Sequence, residues 1–90
     1  MSPFRLTVTP AFKKRRGKKP KQMKDSIDDC ITKLAANPRH PGLHTHRVQG
    51  AKGVWESYID GANRITWHYG ENSSIVLRNN CVHDMPGQSP

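Results

Sequence analysis

Five histidines, all beyond residue 39 of the ninety-residue chain, are the side chains best suited to acid–base chemistry. They are His40, His44, His46, His68 and His83. A histidine titrates near neutral pH, so it can take a proton from a nucleophile or give one to a leaving group. A surface histidine can also have no chemical role, and the sequence leaves this alternative open for His40, His44 and His68.

Histidine and cysteine at alternate positions raise the question of a metal site. His44 and His46 share one face of a predicted strand, and Cys81 and His83 share another if their strand continues that far. Zinc accepts such ligands, but neither pair has the spacing of a known zinc motif. The sequence therefore favours proton transfer over metal binding at these positions.

Three arginines, Arg47, Arg64 and Arg78, lie on predicted strands, where a planar guanidinium is held rigidly enough to grip a phosphate by two hydrogen bonds. The alternative is cross-strand pairing with Glu56 or Asp60. Both interpretations remain open at this point.

The charge balance indicates a polyanionic partner. Lysine and arginine number 15 against 7 acidic residues, a net charge of +8, which suits nucleic acid, an anionic surface or an acidic protein. About half of the basic residues fall between Lys13 and Lys24. That run is either a solvated surface or a source of phosphate attraction without base specificity.

The N-terminal part of the chain predicts a strand followed by two helices. Alternating apolar residues predict a strand at 4–9, and Thr9 before Pro10 predicts the start of a short helix that ends near Gly17. Pro20 opens a second helix, which stops at 37–38.

Beyond residue 39 the pattern changes to short runs rich in β-branched and aromatic residues, separated by glycines. Strands are predicted at 43–49, 54–60, 64–69 and 74–81. The resulting fold class is α+β: a small antiparallel sheet, with an N-terminal strand, and a two-helix hairpin packed on one face. The predicted core contains Trp55, Ile59, Ile65, Trp67, Ile75 and Leu77 against Met23, Ile27 and Leu34.

A chain of this length holds one domain, predicted at 1–84, with a loose tail at 85–90 that has no large apolar residue beyond Met85. No apolar run is long enough for a transmembrane helix or a secretory signal. We therefore expect a cytoplasmic protein that is not in a membrane, with both cysteines as thiols.

Residues 3–84 resemble the RelE/ParE superfamily of bacterial toxins. The resemblance is carried by an F-x-L-x-V strand, a basic helical hairpin, and three segments: H-P-G-L-H-T-H-R-V-Q-G from His40, V-W-E-S-Y-I-D-G-A-N-R-I-T-W from Val54, and S-I-V-L-R-N-N-C-V-H-D from Ser74. The superfamily shares a small sheet with two N-terminal helices. Many members are ribosome-dependent mRNA interferases, and others poison DNA gyrase without ribonuclease residues.

The resemblance implies site residues by position. His83 matches the terminal histidine of the family, His46 matches a second catalytic histidine of some interferases, and Arg64 matches the arginine of the strand that begins N-R-I here. The implied reaction is attack of a ribose 2′-hydroxyl on its neighbouring phosphate, with the two histidines as base and acid in either order. Contacts to RNA and phosphate are expected from Lys52, Arg47, Arg78 and Tyr58, and no metal or organic cofactor is required.

The function so implied is the toxin of a type II toxin–antitoxin system, acting as a ribosome-dependent mRNA endoribonuclease that inhibits translation. Its expected partners are a cognate acidic antitoxin and mRNA on the ribosome, with the toxin alone a monomer and the antitoxin complex a higher oligomer. Two alternatives stay open: a ParE-like toxin that binds DNA gyrase without catalysis, and a small basic RNA-binding module.

Overall fold

The computed structural model describes residues 3–82 of the chain. Its secondary-structure elements, in chain order, are β1 (Arg5–Val8), α1 (Pro10–Gly17), α2 (Lys21–Ala36), a single 3₁₀ turn (Pro41–Leu43), β2 (His46–Arg47), β3 (Trp55–Tyr58), β4 (Asn63–Tyr69) and β5 (Ser74–Val82).

The five strands form one sheet in the order β1-β5-β4-β3-β2. Strands β2 to β5 are antiparallel neighbours, as their short connections require, whereas β1 runs parallel to β5 with Leu6 opposite Ile75. The α+β class is confirmed, but the sheet is mixed rather than wholly antiparallel. Parallel neighbours need a long connection between them. The two helices and strands β2 to β4, which separate β1 from β5 in the sequence, provide it.

The two helices begin and end where the sequence predicts. Thr9 caps α1 by accepting a hydrogen bond from the Phe12 amide, and its hydroxyl also donates to the Leu77 carbonyl at 2.8 Å, which ties the helix start to β5. Asn37 ends α2. Arg16 and Asp28 join the helices through two hydrogen bonds of 2.9 and 2.7 Å.

The core lies between the helices and one face of the sheet. It comprises the buried side chains of Phe12, Ile27, Cys30, Leu34, Leu43, Ile65, Trp67, Ile75 and Leu77. The predicted core is thus confirmed for six of its residues, while Trp55, Ile59 and Met23 are only partly buried at its margin. Burial raises the pKa of the Cys30 thiol to about 12, so this cysteine is a packing residue and not a nucleophile.

The strand predicted at 43–49 is wrong in its bounds. Pro41 opens a 3₁₀ turn through Leu43, and His44 adopts a left-handed backbone with φ 48°, so only His46 and Arg47 remain in the extended ladder. The predicted tail at 85–90 lies outside the described residues. Between residues 3 and 82, no helix is long and apolar enough to span a membrane.

Candidate functional site on the far face of the sheet

The face of the sheet opposite α1 and α2, here called the far face, is built by strand alternation. Glu56 pairs with His46 on one side and with Thr66 on the other, and Tyr58 pairs with Arg64. Since paired residues point the same way, while Trp55 and Trp67 point toward the helices, these five side chains occupy the far face. His68 follows two residues beyond Thr66 on the same side.

His46 is oriented at both of its ring nitrogens. Nδ1 lies 2.8 Å from the carbonyl oxygen of His44, and Nε2 lies 3.3 Å from Oε1 of Glu56. Both neighbours are acceptors, so each ring nitrogen has a place for a proton. The imidazole remains 47% exposed and therefore accessible to a substrate.

Glu56 connects His46 to Arg64. Its carboxylate is 15% exposed, and the same Oε1 that faces His46 lies 3.5 Å from Nε of Arg64. The Arg64 guanidinium is buried, with its Nη1 donating to the carbonyls of Asp60 and Asn63 at 2.7 and 3.1 Å. The Glu56 carboxylate thus lies between the buried Arg64 guanidinium and the half-exposed His46 imidazole, and it contacts both.

Tyr58 covers Arg64. The guanidinium carbon lies 3.5 Å from the centroid of the Tyr58 ring, and the ring of His44 lies 4.8 Å from that centroid at a tilt of 35°. The Tyr58 ring therefore shields one face of the Arg64 guanidinium from solvent. Arg64 therefore supports the site from within the sheet.

A chain of buried hydrogen bonds fixes the segment that carries His44 and His46. The Trp67 indole donates to Oγ of Ser57 at 2.9 Å, Ser57 contacts Oγ1 of Thr45 at 2.8 Å, and Thr45 lies 2.6 Å from the Pro38 carbonyl. Because the Pro38 carbonyl can only accept, the Thr45 proton goes to it and the Ser57 proton goes to Thr45. Every donor in the chain then has an acceptor.

Arg78 lies at a separate place, beside the irregularity between β4 and β5. Its Nη1 donates to Nδ1 of His68 at 3.0 Å. Burial lowers the pKa of His68, and the Arg78 charge lowers it further. Both effects favour the neutral imidazole, and because Arg78 can only donate, Nδ1 of His68 is the acceptor of this bond.

The remaining predicted residues are not all gathered at this cluster. Arg47 points to the opposite side, with its guanidinium carbon 5.2 Å from the Trp55 ring centroid, and Lys52 is exposed in the turn between β2 and β3. The structure thus brings together His46, Tyr58 and Arg64. His83 lies outside the described residues.

Two residues of the cluster, Glu56 and His44, were weighed in the sequence but not assigned to the RNA-cleaving site. The sequence offered Glu56 only as a cross-strand partner of an arginine, and the structure places it in that position beside Arg64. His44 was a candidate through its ring, but its contact with His46 is made by its backbone carbonyl, in a left-handed conformation that the sequence does not specify. Among the described residues, no three His, Cys, Asp or Glu side chains are grouped so as to hold a metal ion.

Comparison with known proteins gives a structural match and no sequence match. No protein-family model matches the chain, and no curated protein does. A YoeB/ParE toxin from Agrobacterium tumefaciens superposes with a TM-score of 0.73 at 16% identity, covering 89% of this chain and 99% of that one. The chain therefore has the RelE/ParE fold.

Two further solved structures share the RelE/ParE fold. The archaeal RelE–RelB complex of Pyrococcus horikoshii OT3 gives a TM-score of 0.73 at 13% identity, over 91% of this chain and 97% of that one. The intact RelBE toxin–antitoxin complex of E. coli gives 0.70 at 8% identity, over 91% and 99%. The resemblance stated from the sequence is thus confirmed at the level of the fold.

Proposed function

We propose that this protein is the toxin of a type II toxin–antitoxin pair and that it cleaves mRNA on the ribosome without a metal ion. The observation that carries the proposal is His46, a half-exposed imidazole held between the His44 carbonyl and the Glu56 carboxylate, with buried Arg64 behind. A ring positioned by a carboxylate, which is itself positioned by a further group, is the arrangement used by catalytic acids and bases.

The proposed reaction is a transesterification within RNA. The 2′-oxygen of one ribose bonds to the adjacent phosphorus while the bond from phosphorus to the 5′-oxygen of the next nucleotide breaks. A base takes the 2′-hydroxyl proton and an acid protonates the leaving oxygen, so the products are a 2′,3′-cyclic phosphate and a 5′-hydroxyl end.

His46 suits the acid role in this reaction. Since both of its ring nitrogens face acceptors in the free protein, the geometry accommodates the doubly protonated ring. The Nε2 proton would turn from Glu56 to the leaving 5′-oxygen once RNA is bound. His83, matched to the family by sequence, is then left as the base.

Cationic groups would stabilise the negative charge that the phosphate gains in the transition state. Arg64 contributes its field from beneath the site, because its side chain is only 4% exposed. Tyr58 offers its hydroxyl as a donor, whereas Lys52, exposed in the turn after β2, adds positive charge for RNA beside Arg47. Arg78, which is hydrogen-bonded to His68, would contact an RNA phosphate at a different place from His46.

An acidic antitoxin is the proposed protein partner. RelE of P. horikoshii was solved in complex with RelB, and the E. coli protein was solved as a toxin–antitoxin complex. The net charge of +8 on this chain favours a partner of opposite charge. Such a partner would silence the toxin by covering the far face.

Cleavage by purified protein of an mRNA bound to ribosomes tests the proposal. The parent should cut in the presence of a chelator, and His46→Ala, Glu56→Gln and His83→Gln should each cut more slowly, by about 10² to 10⁴ for a lost acid or base. His40→Ala is the matched control, since within residues 3–82 the His40 ring accepts a hydrogen bond from the Gly42 amide and contacts none of the cluster. The proposal would be refuted if the parent cuts no RNA, or if all three variants cut as fast as the parent.

A further inference from the structure

Two arginines from different elements are held over one tryptophan on the helix side of the sheet. The guanidinium carbons of Arg39, which follows α2, and Arg47, in β2, lie 5.3 and 5.2 Å from the Trp55 ring centroid. Trp55 is itself fixed by stacking on Trp67, with centroids 6.0 Å apart and the rings 17° from parallel. Both guanidinium carbons thus lie within 5.3 Å of one indole ring centroid.

Neither arginine is neutralised within residues 3–82. Arg39 and Arg47 are exposed and form no ion pair with any described carboxylate. A cation–π contact orients a guanidinium but leaves its charge and its N–H donors available. Two like charges kept together in this way attract an anion, and the planar forks match phosphate oxygens.

The location of this cluster relates it to His46. Arg47 directly follows His46 in β2, the last strand of the sheet, so the two side chains point to opposite sides of one strand edge. Beside Arg47, the turn to β3 forms a groove of about 400 Å³ lined by Lys52, Gly50 and Gly53. A chain that crosses the β2 edge would therefore meet His46 on one side and the arginines on the other.

We propose that Arg39, Arg47 and Trp55 form a second phosphate-binding site that anchors single-stranded RNA where it passes over the β2 edge, away from the cleaved bond. The choice of RNA rests on the proposed function. The anchor supplies affinity and direction to the strand, and it takes no part in proton transfer.

Binding of a short 2′-O-methyl RNA, measured by fluorescence anisotropy over a range of salt concentrations, tests the anchor without requiring cleavage. The variant Arg39→Ala with Arg47→Ala should bind more weakly. Because each phosphate contact to a single strand contributes about 0.7 to the slope of log K against log salt, its slope should fall in magnitude by about 1.4. Thermal unfolding and circular dichroism confirm that the variant is folded.

The matched control is Lys18→Ala with Lys33→Ala, which also removes two positive charges, one at the end of α1 and one within α2. An unchanged slope in the arginine variant, or an equal fall in the control, would overturn the anchor. So would loss of antitoxin binding with RNA binding intact, which would assign the surface to an acidic protein instead. If the parent cleaves mRNA but the arginine variant keeps the parent's salt slope for RNA binding, only the anchor is refuted. If the parent never cleaves mRNA, the proposed function is refuted, and the binding measurement still tests the anchor.

Discussion

The guanidinium of Arg64 lies under the ring of Tyr58, with its central carbon 3.5 Å from the ring centroid. The two residues face each other across the β3–β4 ladder, so the contact follows from strand register. Tyr58 shields a buried cation whose Nε lies 3.5 Å from the Glu56 carboxylate. The position of Glu56, and through it of His46, therefore depends on a contact between an arginine and an aromatic ring.

Removal of the Tyr58 ring should destabilise the protein and weaken the site together. Tyr58→Ala exposes Arg64 and loses a partly buried cation–π contact, which contributes about 1 to 2 kcal/mol in addition to packing. Tyr58→Phe keeps the ring and should unfold at nearly the parent urea concentration. Equal stability of the alanine and phenylalanine variants would show that the ring does not hold Arg64.

Loss of Arg64 itself should be more severe. Arg64→Met fills the same space but leaves Glu56 without its buried cation, and removal of one partner of a buried pair costs about 3 to 5 kcal/mol. The double variant Arg64→Met with Glu56→Gln should recover part of that stability, since it removes the uncompensated charge. Urea denaturation of the single and double variants measures the coupling, and strictly additive losses would contradict it.

Ser57 should be essential to the buried hydrogen-bond chain that holds the segment before β2. Ser57→Ala deprives the buried Trp67 indole N–H of its acceptor at 2.9 Å and breaks the link to Thr45, at a cost of about 1 to 3 kcal/mol. Ser26→Ala is the control, because Ser26 donates only to a carbonyl on the exposed surface of α2. Similar losses in the two variants would mean that the chain has no special role.

The pKa of His68 predicts a loss of stability in mild acid. Burial and the Arg78 charge lower this pKa below 6.5, so the unfolded chain binds a proton more readily than the folded one. The free energy of unfolding should therefore fall as the pH drops below about 6.5. In His68→Gln this fall between pH 7.5 and 5.5 should be smaller, as measured by urea unfolding, and an unchanged pH profile would contradict the assignment.

The local parts of the fold could be predicted from the sequence because local signals determine them. Thr9 and Pro10 specify the start of α1, and alternation from Trp55 to Tyr58 specifies which side chains share a face. The parallel pairing of β1 with β5 joins residues almost 70 positions apart. Alternation is the same in both strand directions, so no local pattern could distinguish them.

The candidate site was predicted only in part for a similar reason. His46 and Arg64 carry family signals, but the burial of Arg64 depends on Tyr58 covering it, and the orientation of His46 depends on the left-handed backbone of His44. Both are consequences of tertiary packing. Glu56 was expected only as a partner of an arginine, because its contact with His46 depends on the pairing of the two-residue β2 with β3.

The most direct test of the account is to map the 5′ ends of mRNA in cells after the toxin is induced. A transesterifying ribonuclease leaves new 5′-hydroxyl ends within coding sequences, and these should appear with the parent and be lost with His83→Gln and with His46→Ala. The His40→Ala control should behave as the parent. If no new 5′-hydroxyl ends appear, and the histidine variants arrest growth while DNA breaks accumulate, the protein acts by binding gyrase and the ribonuclease account is wrong.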